Sequence, residues 1–174
     1  MKTKHIFLTS ILSLALITSL ISTVSAQNDK AQKGAGTSAT HKSAVAGVVQ
    51  DLRNLADKDF QIGVEIRTVA KEQEQSNSSS TKAMQEIEKR GGFKTFLIGT
   101  DYKNIGTLRS EIVTTQNSID RLTRAKERTT DELVKADLDA QIKALEEANT
   151  SALNFIQENE NKFSLLGCLV RLFQ

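Results

Sequence analysis

Two histidines, one cysteine and a few close carboxylate pairs are the side chains of this 174-residue chain that could carry chemistry. A metal site or a nucleophilic triad would draw on the histidines. His5, however, lies in an apolar leader and His41 in a small, polar stretch, outside the segments patterned for a fold. The lone Cys168 excludes a disulfide within the chain. Among leucines it reads as a small apolar side chain or, in an oxidising compartment, as a thiol that pairs two chains. Glu86 with Glu88, Asp137 with Asp139 and Glu146 with Glu147 are close enough for acid–base work, but each pair flanks a helical stripe and reads as a solvated face. GAGTSA, within residues 34–39, resembles a dinucleotide-binding turn but follows no strand and opens no βαβ unit. There is no phosphate loop, zinc-protease motif, nucleophile elbow or calcium loop. These readings predict a non-enzymatic protein with no catalytic residue, cofactor or metal, and no small-molecule substrate.

Composition points to helices. Proline is absent, a quarter of the residues are charged, and the aromatics are seven Phe and one Tyr. Residues 1–26 read as a signal peptide: Lys2 and Lys4, an apolar centre over 6–21, then Val24 and Ala26 at the small positions before a cut. Without Lys2 and Lys4, 21 basic residues balance 21 acidic ones, so no excess of positive charge remains to hold nucleic acid. The expected location is therefore exported, periplasmic or extracellular. Residues 27–42 read as a flexible polar tether, and 43–174 as a helical coiled-coil domain.

Three helical stripes follow. Val45, Val48, Leu52, Leu55, Ile62, Ile66 and Val69 recur in steps of three and four, interrupted at Asp59, and the phase continues through Gln73, Ser76, Ser80, Ala83 and Ile87. This predicts one long helix to about Arg90, with a break at SNSSS (76–80) as the alternative. Gly91, Gly92, Gly99 and Gly106 then punctuate a segment holding Phe93, Phe96, Leu97 and Ile98. The second stripe is Ile105, Leu108, Ile112, Ile119 and Leu122, interrupted by Thr115. The third is Leu138, Ile142, Leu145, Ala152 and Ile156, with Asn149 and Asn159 as polar members, and runs on to Phe163, Leu166, Val170 and Phe173. Counted in sevens, the second stripe reaches Leu133 while the third reaches back to Lys135. That two-residue slip forbids one unbroken rod and predicts a reversal near 128–130, with Thr129 and Glu132 as a capping box. The fold class expected is all-α: long antiparallel helices forming a coiled-coil hairpin or a three-helix bundle. Asn149 reads either as a register-fixing polar residue in the seam or as one tolerated by loose packing.

Reversal near Thr129 brings the Phe93–Ile98 segment and the terminal run FSLLGCLVRLF, with Phe163, Leu166, Leu169, Val170 and Phe173, to one end. That apolar end has three readings: a plug closing the base of the bundle, a shallow membrane contact, or a surface for self-association or another envelope protein. From about residue 44 onward, GGFKTFLIGTD and FSLLGCLVRLF resemble motifs of a group of small exported helical proteins with a Gly/Phe-rich break and an apolar C-terminal tail. The resemblance implies architecture and export, and no catalytic residue. In that group an aromatic often follows the tail glycine, where this chain has Cys168. The function expected is that of a structural or interaction protein at the cell envelope, with a periplasmic holdase as the alternative.

Overall fold

The computed structural model describes residues 36–161, all of them in the second of the two units, 1–34 and 35–174, into which the chain divides. The expected signal peptide and the apolar run 163–173 lie outside the described residues. Within them are four helices and no strand: α1 (Thr37–Ala56), α2 (Gly63–Ile98), α3 (Tyr102–Arg128) and α4 (Glu132–Glu160). The all-α expectation and the antiparallel α3–α4 hairpin hold. Helix α1 packs on α2 and α4, and α3 packs on α2 and α4. Cross-helix bonds such as Arg53–Glu74, Arg121–Glu72, Lys126–Asp139 and Lys58–Asp137 run in opposite chain directions, so the four helices alternate up and down around one core.

The first stripe is two helices, not one, which makes a four-helix bundle where the sequence suggested a hairpin or three helices. The chain turns back over residues 57–62. The turn conceals itself because Leu55 and Ile62, both buried on either side of it, stand seven residues apart and so preserve the apolar register. Gly63 permits the reversal: a Cβ there would lie 2.2 Å from the Ala56 carbonyl oxygen, closer than atoms can approach. By contrast, α2 runs unbroken through SNSSS, and Gln73, Ser76, Ser80, Ala83 and Ile87 all face inward as the phase requires.

Residues 37–42, read from the sequence as part of a flexible tether, are helical, since α1 begins at Thr37 and buries Ser38 and His41; the rest of the expected tether, 27–35, lies outside the described residues. His41 is only 8% exposed, and its Nδ1 has no hydrogen-bond partner. Burial pushes the imidazole pKa down. Ser38 is fixed by Glu88 on α2, its backbone N–H and hydroxyl donating to the two carboxylate oxygens at 3.0 and 2.5 Å.

The core has two main apolar parts and a small third cluster of Val45, Val49 and Ala148. One, towards the 57–62 and 129–131 turns, contains Leu52, Leu55, Ile66, Ile119, Leu122, Leu138, Ile142 and Leu145. The other, towards the opposite end, contains Met84, Ile87, Ile105, Leu108, Phe155 and Ile156, with Ile112 partly buried against it. Between them lies a polar belt. The Thr115 hydroxyl donates to Gln73 Oε1 at 3.2 Å, and Gln73 Nε2 donates to the Ser118 hydroxyl at 3.0 Å. Thr115, an interruption in the second stripe, is thus a buried member of an α2–α3 hydrogen-bond network. Asn149 donates from Nδ2 to the Ile112 carbonyl at 3.2 Å, tying α4 to α3 across the seam.

Candidate interaction site

Each end of the bundle has a distinct construction. At the closed pole the turns 57–62 and 129–131 meet. Thr129 donates from its hydroxyl to Asp59 Oδ2 at 2.6 Å and accepts from the Asp131 N–H at 3.2 Å. Asp59 Oδ1 accepts from the Gln61 N–H at 2.8 Å, and its carbonyl accepts from the Gly63 N–H at 2.8 Å. The Thr129 hydroxyl, helped by the Gln61 N–H, holds the Asp59 carboxyl below the usual carboxylate range. The capping box read at Thr129 and Glu132 is not formed. Asp131 caps α4 instead, accepting from the Leu133 and Val134 N–H groups, because Thr129 is committed to Asp59.

At the open pole α1 begins, α2 passes to α3, and α4 ends. Gly91 interrupts α2 with φ 63° and ψ 161°, a left-handed value suited to glycine, and the chain then resumes its helical course to Ile98. The Gly91–Gly92 pair therefore bends α2 where the sequence suggested a stop. The true stop is Gly99, at φ 98°. Residues 92–98 form a short arm, about 10 Å long at helical rise, and its base is braced. Arg90 donates to the Gly99 carbonyl at 3.2 Å and pairs with Asp101 at 3.1 Å. Thr95 faces inward, and the Thr100 hydroxyl donates to the Asn159 carbonyl of α4 at 3.3 Å. Asp101 also caps α3 through the Asn104 N–H. Burial pushes the Asp101 carboxyl up, but the Asn104 hydrogen bonds and the Arg90 charge outweigh it and leave the carboxyl below its usual range.

Held this way, the arm turns its apolar side chains to water. Phe93 is 77% exposed and Tyr102 68%, and Phe96, Leu97 and Ile98 are exposed as well. The seam residues Ile105, Leu108, Ile119, Leu122, Leu138, Ile142, Leu145, Asn149 and Ile156 are buried, so the two predicted sets separate into an inner and an outer one. Phe163, Leu166, Leu169, Val170 and Phe173 lie outside the described residues. Sequence reasoning did not single out Tyr102, although its place three residues after Gly99 in the same break is the signal that could have done so. Phe60, Val64 and Leu133, exposed near the closed pole, were also missed. None of them is flanked by another apolar run.

Two open grooves cross the surface, one lined by Thr37, Glu147, Ser151, Phe155 and Glu158, the other by Lys42, Val49, Asn77, Thr81 and Gln85. Neither gathers more than scattered charges. Among the described residues no three His, Cys, Asp or Glu side chains are grouped to hold a metal ion, and no helix is long and apolar enough to cross a membrane. No family model matches the chain, and neither a curated protein nor a solved structure does so.

Proposed function

We propose that this chain is an exported, non-enzymatic interaction protein of the cell envelope that attaches through its open pole. The reading is carried by one observation: a braced arm that keeps Phe93 and Ile98 largely, and Phe96 and Leu97 partly, in water, next to exposed Tyr102 at the start of α3. Leaving several large apolar side chains unburied forgoes roughly 1.5–3 kcal/mol for each one that could be buried, and clustered exposure of this kind marks a contact surface. The belt of Gln73, Thr115 and Ser118, the capped turns and the cross-helix ion pairs serve to hold that surface in place.

The test is retention of the protein in the envelope of its own cells. Phe93→Ser combined with Ile98→Ser changes no buried contact of the bundle, so helicity should stay native while the protein is released from the envelope fraction. Retention equal to wild type would overturn the reading. If the wild-type chain instead suppresses aggregation of an unrelated unfolded protein and the double variant does not, the open pole is a holdase surface.

A further inference from the structure

The two poles expose apolar side chains alike, but they differ in the charge that stands beside those side chains. At the closed pole, Lys58, Arg67, Arg128 and Lys135 each sit on a carboxylate, Asp137, Asp57, Glu65 and Glu132, while Arg124, one turn before Arg128 and further from the turns, is exposed with no ion pair among the described residues. Asp59 and Asp131 add further acid there. At the open pole, Lys89 and Arg90 are paired with Glu86 and Asp101, but Lys94 on the arm and Lys103 one residue after Tyr102 are exposed and have no ion pair. The exposed aromatics of the arm are therefore flanked by two ammonium groups outside any ion pair, Lys94 on the arm itself and Lys103 within the field of Asp101, with Glu158 the exposed acid at the end of α4.

From this juxtaposition we infer that the open pole docks on the surface of an anionic lipid bilayer, with Phe93, Ile98 and Leu97 entering the headgroup–acyl boundary and Lys94 and Lys103 meeting lipid phosphates. This deepens the proposed function and rests on it. One feature favours a lipid surface over a protein one, and two more are compatible with it. Lysine is depleted in protein interfaces, where arginine is enriched, and the two cations that flank the arm outside any ion pair among the described residues are lysines. Tyr102 has the apolar body and polar tip that suit the bilayer interface. An arm of about 10 Å is too short to span a core of about 30 Å but long enough to lie in the interface.

The test uses the full chain purified from its own envelope and mixed with vesicles of phosphatidylcholine alone or with phosphatidylglycerol added. Sedimentation should be strong with the anionic vesicles and weak with the neutral ones, and should fall as salt rises. Lys94→Glu with Lys103→Glu should weaken the binding about tenfold or more. Phe93→Ser with Ile98→Ser should remove most of the remainder. Phe60→Ser with Leu133→Ser, at the other pole, should leave it unchanged and serves as the folding-neutral control. Equal binding to both kinds of vesicle, no binding to either, or binding lost with the Phe60 and Leu133 variant would overturn the inference. If vesicles are ignored but the Phe93 and Ile98 variant still leaves the envelope, the lipid inference falls and the interaction function stands. If neither changes, both fall.

Discussion

The closed and open poles of this bundle solve the same problem, ending a pair of helices, in opposite ways. At the closed pole two separate turns are stitched into one hydrogen-bonded unit through Asp59, Thr129 and Asp131, and Lys58 and Lys135 beside them are ion-paired. At the open pole a glycine bend throws out a short arm, Arg90 braces it, and its apolar side chains stay exposed beside Lys94, which has no ion pair among the described residues. Phe60, Val64 and Leu133 are exposed at the closed pole too, so what sets the open pole apart is the contiguous apolar run on a projecting arm rather than apolar exposure alone. The same fold closes its other end with a tighter network.

The contrast can be broken most forcibly through the core. Leu138→Ala, in the apolar cluster near the closed pole, should cost about 2–5 kcal/mol of unfolding free energy in a denaturant titration. It should leave vesicle binding intact while the protein stays folded. Next come the glycines. Gly63→Ala drives a methyl into the Ala56 carbonyl and should destabilise by about 1–3 kcal/mol, whereas Gly91→Ala meets open space and is strained only by its left-handed backbone, at about 1–2 kcal/mol. Thermal melts of the two variants compare the poles directly.

Acidification should affect the two halves in different windows. His41 lies in the open half, and burial lowers its pKa, so the unfolded chain takes up the proton more readily than the folded one. Its contribution is full above the ordinary imidazole range and is lost as pH falls through that range towards the lowered folded value. His41→Leu should flatten this slope in stability measured against pH. Asp59, lowered by Thr129, contributes stability above the ordinary carboxylate range that is lost as pH falls through its lowered folded value. Thr129→Val should therefore bring the acid-unfolding limb to higher pH without altering the imidazole window. The smallest effect belongs to Phe93→Ser, which should change stability by less than about 0.5 kcal/mol while weakening attachment.

Much of this was legible in the residues. The slip of two between the second and third stripes located the reversal at Thr129, and the continuous phase through Gln73, Ser76 and Ser80 was enough to keep α2 whole. The turn at 57–62 was not legible from periodicity, because Leu55 and Ile62 keep a spacing of seven across it. Only Asp59 and Gly63 hinted at it, and their role is a matter of backbone approach that register cannot report. His41 was misplaced because its polar neighbours, Thr40, Lys42 and Ser43, mask a buried face that only packing against other helices reveals. The open-pole cluster at Phe93, Phe96, Leu97 and Ile98 could be read from composition. Its flanking charge could not, since which lysines are paired depends on the tertiary arrangement.

The central claim is that the open pole is the contact end and the closed pole is not. Amide hydrogen exchange of the full chain, with and without phosphatidylglycerol vesicles, tests it most directly. The account predicts added protection over residues 91–103 and none over 57–64 or 129–134. Protection gained at the closed-pole turns, or none over 91–103 while the protein is vesicle-bound, would contradict it.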